Sequence, residues 1–302
     1  IDAVMLAWPH AQTDWAPWLE DARATYLNVI AAVNRNDAGV ILLCAPSDVD
    51  DLNSRLPENA RVLIVPASFN DTWMRDYGFI TCKDSEGNGS PVEFRFNGWG
   101  NKFNAAEDNL ANQRYLASMC KSVLRSSPIV AEGGALEIDE DGHLLSTAQC
   151  LLNPERNGDM SLSAYEDAFK DMLGCSKVTI LQHGHLEGDD TDGHIDTLVR
   201  FTPNKGLVIQ ACNNRPNDSH FEGLKALCDE CALELPEHEQ FHLPLPNIVN
   251  DEGDRLPASY ANYLICNNAI LLPVYGEEED AEAIETVQRA HPNHIVEPIV
   301  CS

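Results

Sequence analysis

Four segments of this 302-residue chain repeat one order of features: an apolar run, a loop with a polar cluster, a second run, a turn and a third run. They are "RVLIVPASFNDTWMRDYGFITCKDSEG", "PIVAEGGALEIDEDGHLLSTAQC", "VTILQHGHLEGDDTDGHIDTLVRFTPNKGLVIQAC" and "FHLPLPNIVNDEGDRLPASYANYLICNNAILLPVYG". The turns are expected at "DSEG", "DEDG", "PNKG" and "CNNA". One polar residue near the start of each middle strand, Asp76, Glu132, His194 and Asn262, recurs at steps of about 56, 62 and 68 residues. Units that each leave an apolar face open bury it by stacking on neighbours, and an array closed into a ring brings its strand-end residues to the axis.

Between the strands, "NLANQRYLASMCKSVLRS", "SLSAYEDAFKDMLG" and "SHFEGLKALCDECALEL" carry apolar residues at helical spacing. The opening "AVMLAWPH" and the closing "HIVEPIV" read as strands of a further unit split between the two termini. No Pro/Gly/Ser-rich linker interrupts the chain, so residues 1–302 are expected to form one domain.

A hydrophobic content of 44% supports a sizeable core and excludes a disordered chain. No apolar run approaches the roughly 20 residues of a membrane span, and no secretory signal opens the sequence. Ten cysteines lie mostly in apolar runs such as "ILLCAP" and "YLICNN", as reduced cysteines acting as small hydrophobes do, and the expected compartment is the cytoplasm. Only Cys228 and Cys231 form a C-x2-C, without the second pair that a zinc site needs. A formal net charge of −28 repels nucleic acids and anionic membranes and attracts a cationic ligand, although an acidic surface also simply confers solubility.

Three clusters could carry chemistry. "NDTWMRDYG" places Trp73, Arg75 and Asp76 together, and an aromatic face beside a carboxylate suits a planar guanidinium. The plainer alternative is a buried Arg75–Asp76 network with Trp73 filling the core. In "DDTDGHID" four carboxylates crowd His194 and favour its protonated form. On a strand His194 and Asp196 would share a face, a general acid/base beside a binding carboxylate, with Asp192 also in reach. Glu132 precedes two glycines, which admit a ligand or another backbone closely, or simply make a turn. "HGH" at 183–185 could join His194 in a metal cluster, but no familiar ligand spacing appears and no metal is expected.

The motifs "LAWPH", "NDTWMRDYG", "EGGALEIDEDGHLLST" followed by "CLLNPERN", "DDTDGHIDTLVRF" and "YANYLICNNAILLPVYG" closely resemble those of the agmatine deiminases and bacterial-type peptidyl-arginine deiminases. The resemblance spans nearly the whole chain. It implies a five-bladed α/β propeller, the pentein fold, with the active site at its axis. It further implies hydrolysis of a guanidinium to a ureido group with release of ammonia, without metal or organic cofactor. Asp76 and Asp196 correspond to the two carboxylates that grip the guanidinium, Trp73 to the aromatic beside it, His194 to the acid/base, Asn262 to a pocket residue and Glu132 to the acid of the "EGG" motif. The family's nucleophilic cysteine sits in a C-terminal motif that residues 1–302 do not include, so the chain is expected to be trimmed at both ends. With 20 basic residues against 48 acidic ones, a small cationic guanidino substrate, agmatine, is favoured over an arginine bearing a carboxylate. The competing expectations are deimination of peptidyl arginine and a non-catalytic guanidinium or polyamine binder. A homo-oligomer is compatible with all three.

Overall fold

The computed structural model describes residues 1–83 and 86–301. Fifteen strands among them form five three-stranded sheets. Two units are distinguished, Ile1–Gly133 and the remainder from Gly134 onward.

The first unit holds two sheets. One joins β1 (Ala3–Ala7), β2 (Gly39–Cys44) and β3 (Val62–Pro66), all parallel. The other joins β4 (Ile80–Lys83) antiparallel to β5 (Gly89–Arg95), with β6 (Arg125–Val130) parallel to β5. The expected "DSEG" turn between β4 and β5 begins at Asp84 and Ser85, which lie outside the described residues.

The second unit repeats the hairpin-plus-parallel-strand sheet three times. Its strands are β7 (Glu137–Ile138), β8 (His143–Thr147), β9 (Lys177–Leu181), β10 (Val199–Thr202), β11 (Gly206–Gln210), β12 (Glu239–Leu243), β13 (Leu264–Cys266), β14 (Ala269–Val274) and β15 (Ile295–Val300). In each sheet the second strand pairs antiparallel with the first and parallel with the third. The expected turns "DEDG", "PNKG" and "CNNA" close the three hairpins; Asn204, Lys205 and Asn267 take the left-handed backbone that such tight turns require.

A parallel partner cannot be reached by a tight turn, so each hairpin is followed by a crossover. Helix Leu162–Leu173 links β8 to β9, Phe221–Glu234 links β11 to β12, and Asp280–Ala290 links β14 to β15. Their apolar stripes face inward: Leu224, Leu227, Cys228 and Cys231 are buried on one face of the second. The β5–β6 crossover departs from the simple helix expected at "NLANQRYLASMCKSVLRS". Helical turns of 3-10 and π type cover only 108–119, and Arg125 and Ser126 already belong to β6.

Two further expectations are corrected. "HIVEPIV" is not part of a unit shared with the opening strand, because β15 pairs with β14 and β1 with β2. The apolar run that begins each repeat belongs to the sheet before it: "RVLIVP" is β3, paired with β2. A crossover ties that strand backward, and the sequence period alone does not reveal where one unit ends.

The candidate site residues occupy one topological position throughout. Asp76, Glu132, His194 and Asn262 each lie in the segment just ahead of the first strand of a sheet, β4, β7, β10 and β13 respectively.

Candidate active site

In the first unit the candidate residues gather around the short helix Met74–Tyr77, entered from Trp73. Met74 and Tyr77 are buried and anchor it, and the Tyr77 hydroxyl donates to the Asp71 carbonyl (3.0 Å). Asp76 therefore projects from a pinned turn. Arg75 is exposed, so a buried Arg75–Asp76 network is not what this motif builds.

Asp76 accepts a hydrogen bond at Oδ2 from Trp99 Nε1 (3.0 Å). Trp73 packs edge-on to Trp99, ring centroids 5.3 Å apart. Trp99 reaches this position through an unusual backbone: its φ is 55°, between Gly98 at 66° and Gly100 at 81°, and Asn97 Oδ1 accepts from Gly100 N (2.9 Å). A left-handed tryptophan is costly, and such strain persists where the surroundings fix it. Gly98 is required here, since a Cβ would lie 2.3 Å from the Phe103 carbonyl oxygen.

Glu132, fully buried, is brought to the same segment by its neighbour. A Cβ on Gly133 would stand 2.0 Å from the Arg75 carbonyl oxygen, so the backbone after Glu132 presses directly on the backbone carrying Asp76. The first glycine of "EGG" thus admits another main chain, one of the two roles expected of it.

In the second unit His194 is not on a strand. It precedes a 3-10 turn, Ile195–Thr197, so the strand alternation expected to align His194 with Asp196 does not apply. Both side chains are nonetheless buried. The acidic loop before them is chiefly a scaffold. Asp189 accepts from Thr191 N (2.8 Å), Thr191 Oγ1 (2.6 Å) and Gly193 N (2.7 Å). Asp192 accepts from Arg156 Nη1 (2.7 Å) and Asn153 Nδ2 (2.8 Å). The Arg156 side chain is fully buried, so the charge of Asp192 is spent on a salt bridge. Thr147 Oγ1 donates to the Gly193 carbonyl (2.7 Å) and pins the glycine that leads into His194.

Asn262 is exposed, but the backbone around it is fixed. The carbonyls of Ala261 and Tyr263 both accept from Arg200 Nη1 (3.1 and 2.8 Å). Arg200 Nε donates to Glu137 Oε2 (2.9 Å), and the guanidinium lies over the Tyr263 ring, 4.6 Å from its centroid. Burial opposes the charge of Arg200, but Glu137, Tyr263 and Asp196 outweigh it and raise its pKa. Ser259 Oγ donates to the Thr197 carbonyl (2.6 Å), tying the Asn262 segment to the turn that carries Asp196.

Three contributors were not singled out in the sequence: Trp99, Arg200 and Arg156. Arg200 and Arg156 stood inside quoted motifs, "TLVRF" and "NPERN", with no spacing to mark them.

The ten cysteines are all free. Cys228 and Cys231 are buried on a helix, and burial pushes their thiols up to about 11 and about 12, as expected of packing residues. Cys150 is fully buried with its thiol within 4.8 Å of a His194 ring nitrogen. His183 and His185 join no group of three or more metal-ligating side chains among the described residues.

The first unit sets the Asp76 carboxylate against the Trp99 indole with Trp73 edge-on to it, and the second buries His194 and Asp196 at one 3-10 turn of a repeated α/β scaffold. The chain belongs to the Porphyromonas-type peptidyl-arginine deiminase family, whose profile matches residues 1–302. It is 29% identical to the agmatine deiminase of Medicago truncatula over 331 residues, covering 96% of this chain and 86% of that one. The agmatine deiminase of C. jejuni, solved with substrate bound, superposes with a TM-score of 0.89 at 30% identity, covering 99% of this chain and 87% of that one. The α/β pentein class implied by the sequence motifs therefore stands. Among the described residues no helix is long and apolar enough to cross a membrane.

Proposed function

We propose that this chain is a hydrolase of guanidino C–N bonds that converts agmatine to N-carbamoylputrescine and ammonia. The observation that carries the reading is Asp76, fixed by the Trp99 indole with Trp73 alongside, on a chain that matches a deiminase family from end to end. A guanidinium pairs with the carboxylate through two N–H groups while its face meets an aromatic ring.

In this reading Asp76 and Asp196 hold the two sides of the guanidinium, with Trp73, Glu132 and Asn262 as further binding residues. A cysteine thiolate attacks the central carbon, the C–N bond breaks, and His194 gives its proton to the departing ammonia. An S-alkylthiouronium remains on the enzyme. Water, deprotonated by the same His194, adds to that carbon; the C–S bond breaks, the thiolate is restored and the ureido product leaves. No step uses a metal or an organic cofactor.

Wherever a shift is resolved among the cysteines of residues 1–302 it is upward, away from the thiolate, and burial is its first cause. We place the nucleophile on a cysteine outside residues 1–302, and take these residues as one deiminase domain acting in the cytoplasm. The excess of acidic over basic residues, 48 against 20, supports a cationic amine over a carboxylate-bearing arginine.

The test is ammonia release by the gene's full product, comparing agmatine with a peptide ending in arginine. Agmatine is expected to be the better substrate. Preference for the peptide would move the assignment to peptidyl-arginine deimination, and binding without turnover would make the protein a guanidinium binder.

A further inference from the structure

Within the first unit, Trp73, Trp99 and Phe103 wall a cavity of about 190 Å³ that also takes in Asp14, Asp71 and Asp108. No lysine or arginine lines it. The carboxylates are not equivalent. Asp71 is engaged at both oxygens, Oδ1 by Thr72 N (2.6 Å) and Oδ2 by Asp14 N (2.7 Å). Asp108 is only 1% exposed, and Asn70 N (2.6 Å) and Asp71 N (3.2 Å) both donate to its Oδ1. Among the described residues nothing donates to its Oδ2, on a side chain that lines the cavity.

A buried carboxylate with one oxygen unmatched costs free energy that a cation entering the cavity would offset. The electrostatics agree: burial first, then the nearby charges of Asp71 and Glu107, push Asp108 up to about 7 against the two backbone donors. The rings supply apolar walls suited to methylene groups and a π-face suited to a cation. Trp99 also links the cavity to the guanidinium end, since the indole that lines it donates to Asp76.

We infer that this cavity is the subsite for the far end of the substrate, taking a primary alkylammonium whose charge is met by Asp108 while Trp73, Trp99 and Phe103 enclose the alkyl chain. The inference rests on the agmatine reading above and deepens it: agmatine is a short alkyl chain with a guanidinium at one end and an ammonium at the other. A guanidine with a neutral tail would leave Asp108 unmatched.

The experiment compares kcat/KM for agmatine and for n-butylguanidine, which lacks only the terminal amine, in the full-length enzyme and two variants. Asp108→Asn keeps an oxygen for the Asn70 and Asp71 amides and removes the charge. Gln12→Lys places a cation at the cavity from an exposed position and so serves where Asp108→Asn fails to fold. The ratio of the two kcat/KM values is expected to fall about 10- to 100-fold in Asp108→Asn, the loss of one charge-assisted hydrogen bond, and in the same direction in Gln12→Lys. Equal losses on both substrates overturn the subsite.

Calorimetry with putrescine separates this inference from the reaction assignment. Putrescine binding that weakens in Asp108→Asn, in an enzyme inert toward agmatine, sustains the subsite and removes the deiminase reading. Agmatine turnover with an unaltered ratio in both variants does the reverse. Failure of the wild type to bind putrescine overturns the subsite whatever its activity.

Discussion

At Asp76 the indole of Trp99 does what bulk water would do for an exposed carboxylate, holding one oxygen so that the other lone pairs point in fixed directions. Trp99→Phe keeps an aromatic ring in the core and deletes that donor, at the cost of the void left by the smaller ring. A fall of about tenfold in kcat/KM is expected, roughly 1.4 kcal/mol, together with a lower melting temperature. Asp76→Asn and Asp196→Asn should each abolish measurable ammonia release, and near wild-type rates in either would remove that residue from the clamp. Asp108 makes a different prediction, because its raised pKa means that the folded protein binds a proton the unfolded chain releases above about pH 4. Stability from this group is present at low pH and is lost as pH rises through about 7, where Asp71, Glu107 and Tyr77 face a new buried charge. Urea titrations across that range should show Asp108→Asn gaining on the wild type as pH rises, and parallel curves would contradict the shift. That Asp76 and Trp73 lie together was legible in the sequence because they stand only three positions apart on one short segment. Trp99 and Asp108 were not, since a left-handed φ and a fold-dependent cavity leave no spacing to read.

The elements show the same division between local and non-local information. The hairpin turns were readable because Asn, Asp and Gly at tight turns report a local backbone preference. Strand membership was not, because a crossover pairs a strand with one well upstream. The acidic loop is the clearest case: its carboxylates suggested a nest for a charged histidine, yet Asp189 and Asp192 are occupied by backbone amides and by Arg156. Arg156→Ala should therefore damage the loop more than its distance in sequence from His194 suggests. It removes the buried guanidinium paired with Asp192, whose φ is 67°, and a loss of about 3 kcal/mol with a lower kcat is expected. Two glycines give a matched pair of opposite sign. Gly133→Ala meets the Arg75 carbonyl at 2.0 Å and should cost about 1–3 kcal/mol while displacing Asp76. Gly223→Ala, in helix Phe221–Glu234 with nothing within 4 Å of the new methyl, should stabilise by about 0.5–1 kcal/mol with activity unchanged. Thermal melts with parallel ammonia assays read both.

Across the molecule, the repeat places one polar residue ahead of the first strand in four of the five sheets, and that regularity supports the proposed location of the nucleophile. Cys301 is the tempting choice as the last cysteine of the chain. It follows β15, the closing strand of its sheet, and its amide donates to the Val274 carbonyl (2.9 Å), so it occupies the end of a unit and not the segment that opens one. Its pKa shift is upward, and no histidine among the described residues hydrogen-bonds its thiol, whose acceptor is the Ile299 carbonyl (3.5 Å). Cys150 has the histidine but not the access: it is fully buried, its amide donating to Thr147 Oγ1 at the start of a short helix. A residue that must receive a substrate carbon needs both a lowered pKa and an open approach. In the full-length enzyme Cys301→Ser should keep near wild-type turnover. Cys150→Ser, a change of one atom beside His194, should reduce it only by what the altered packing costs. Labelling with a haloamidine that mimics agmatine, followed by peptide mass mapping, should modify neither; a label on Cys301 or Cys150 would return the nucleophile to residues 1–302 and overturn the placement drawn from the repeat.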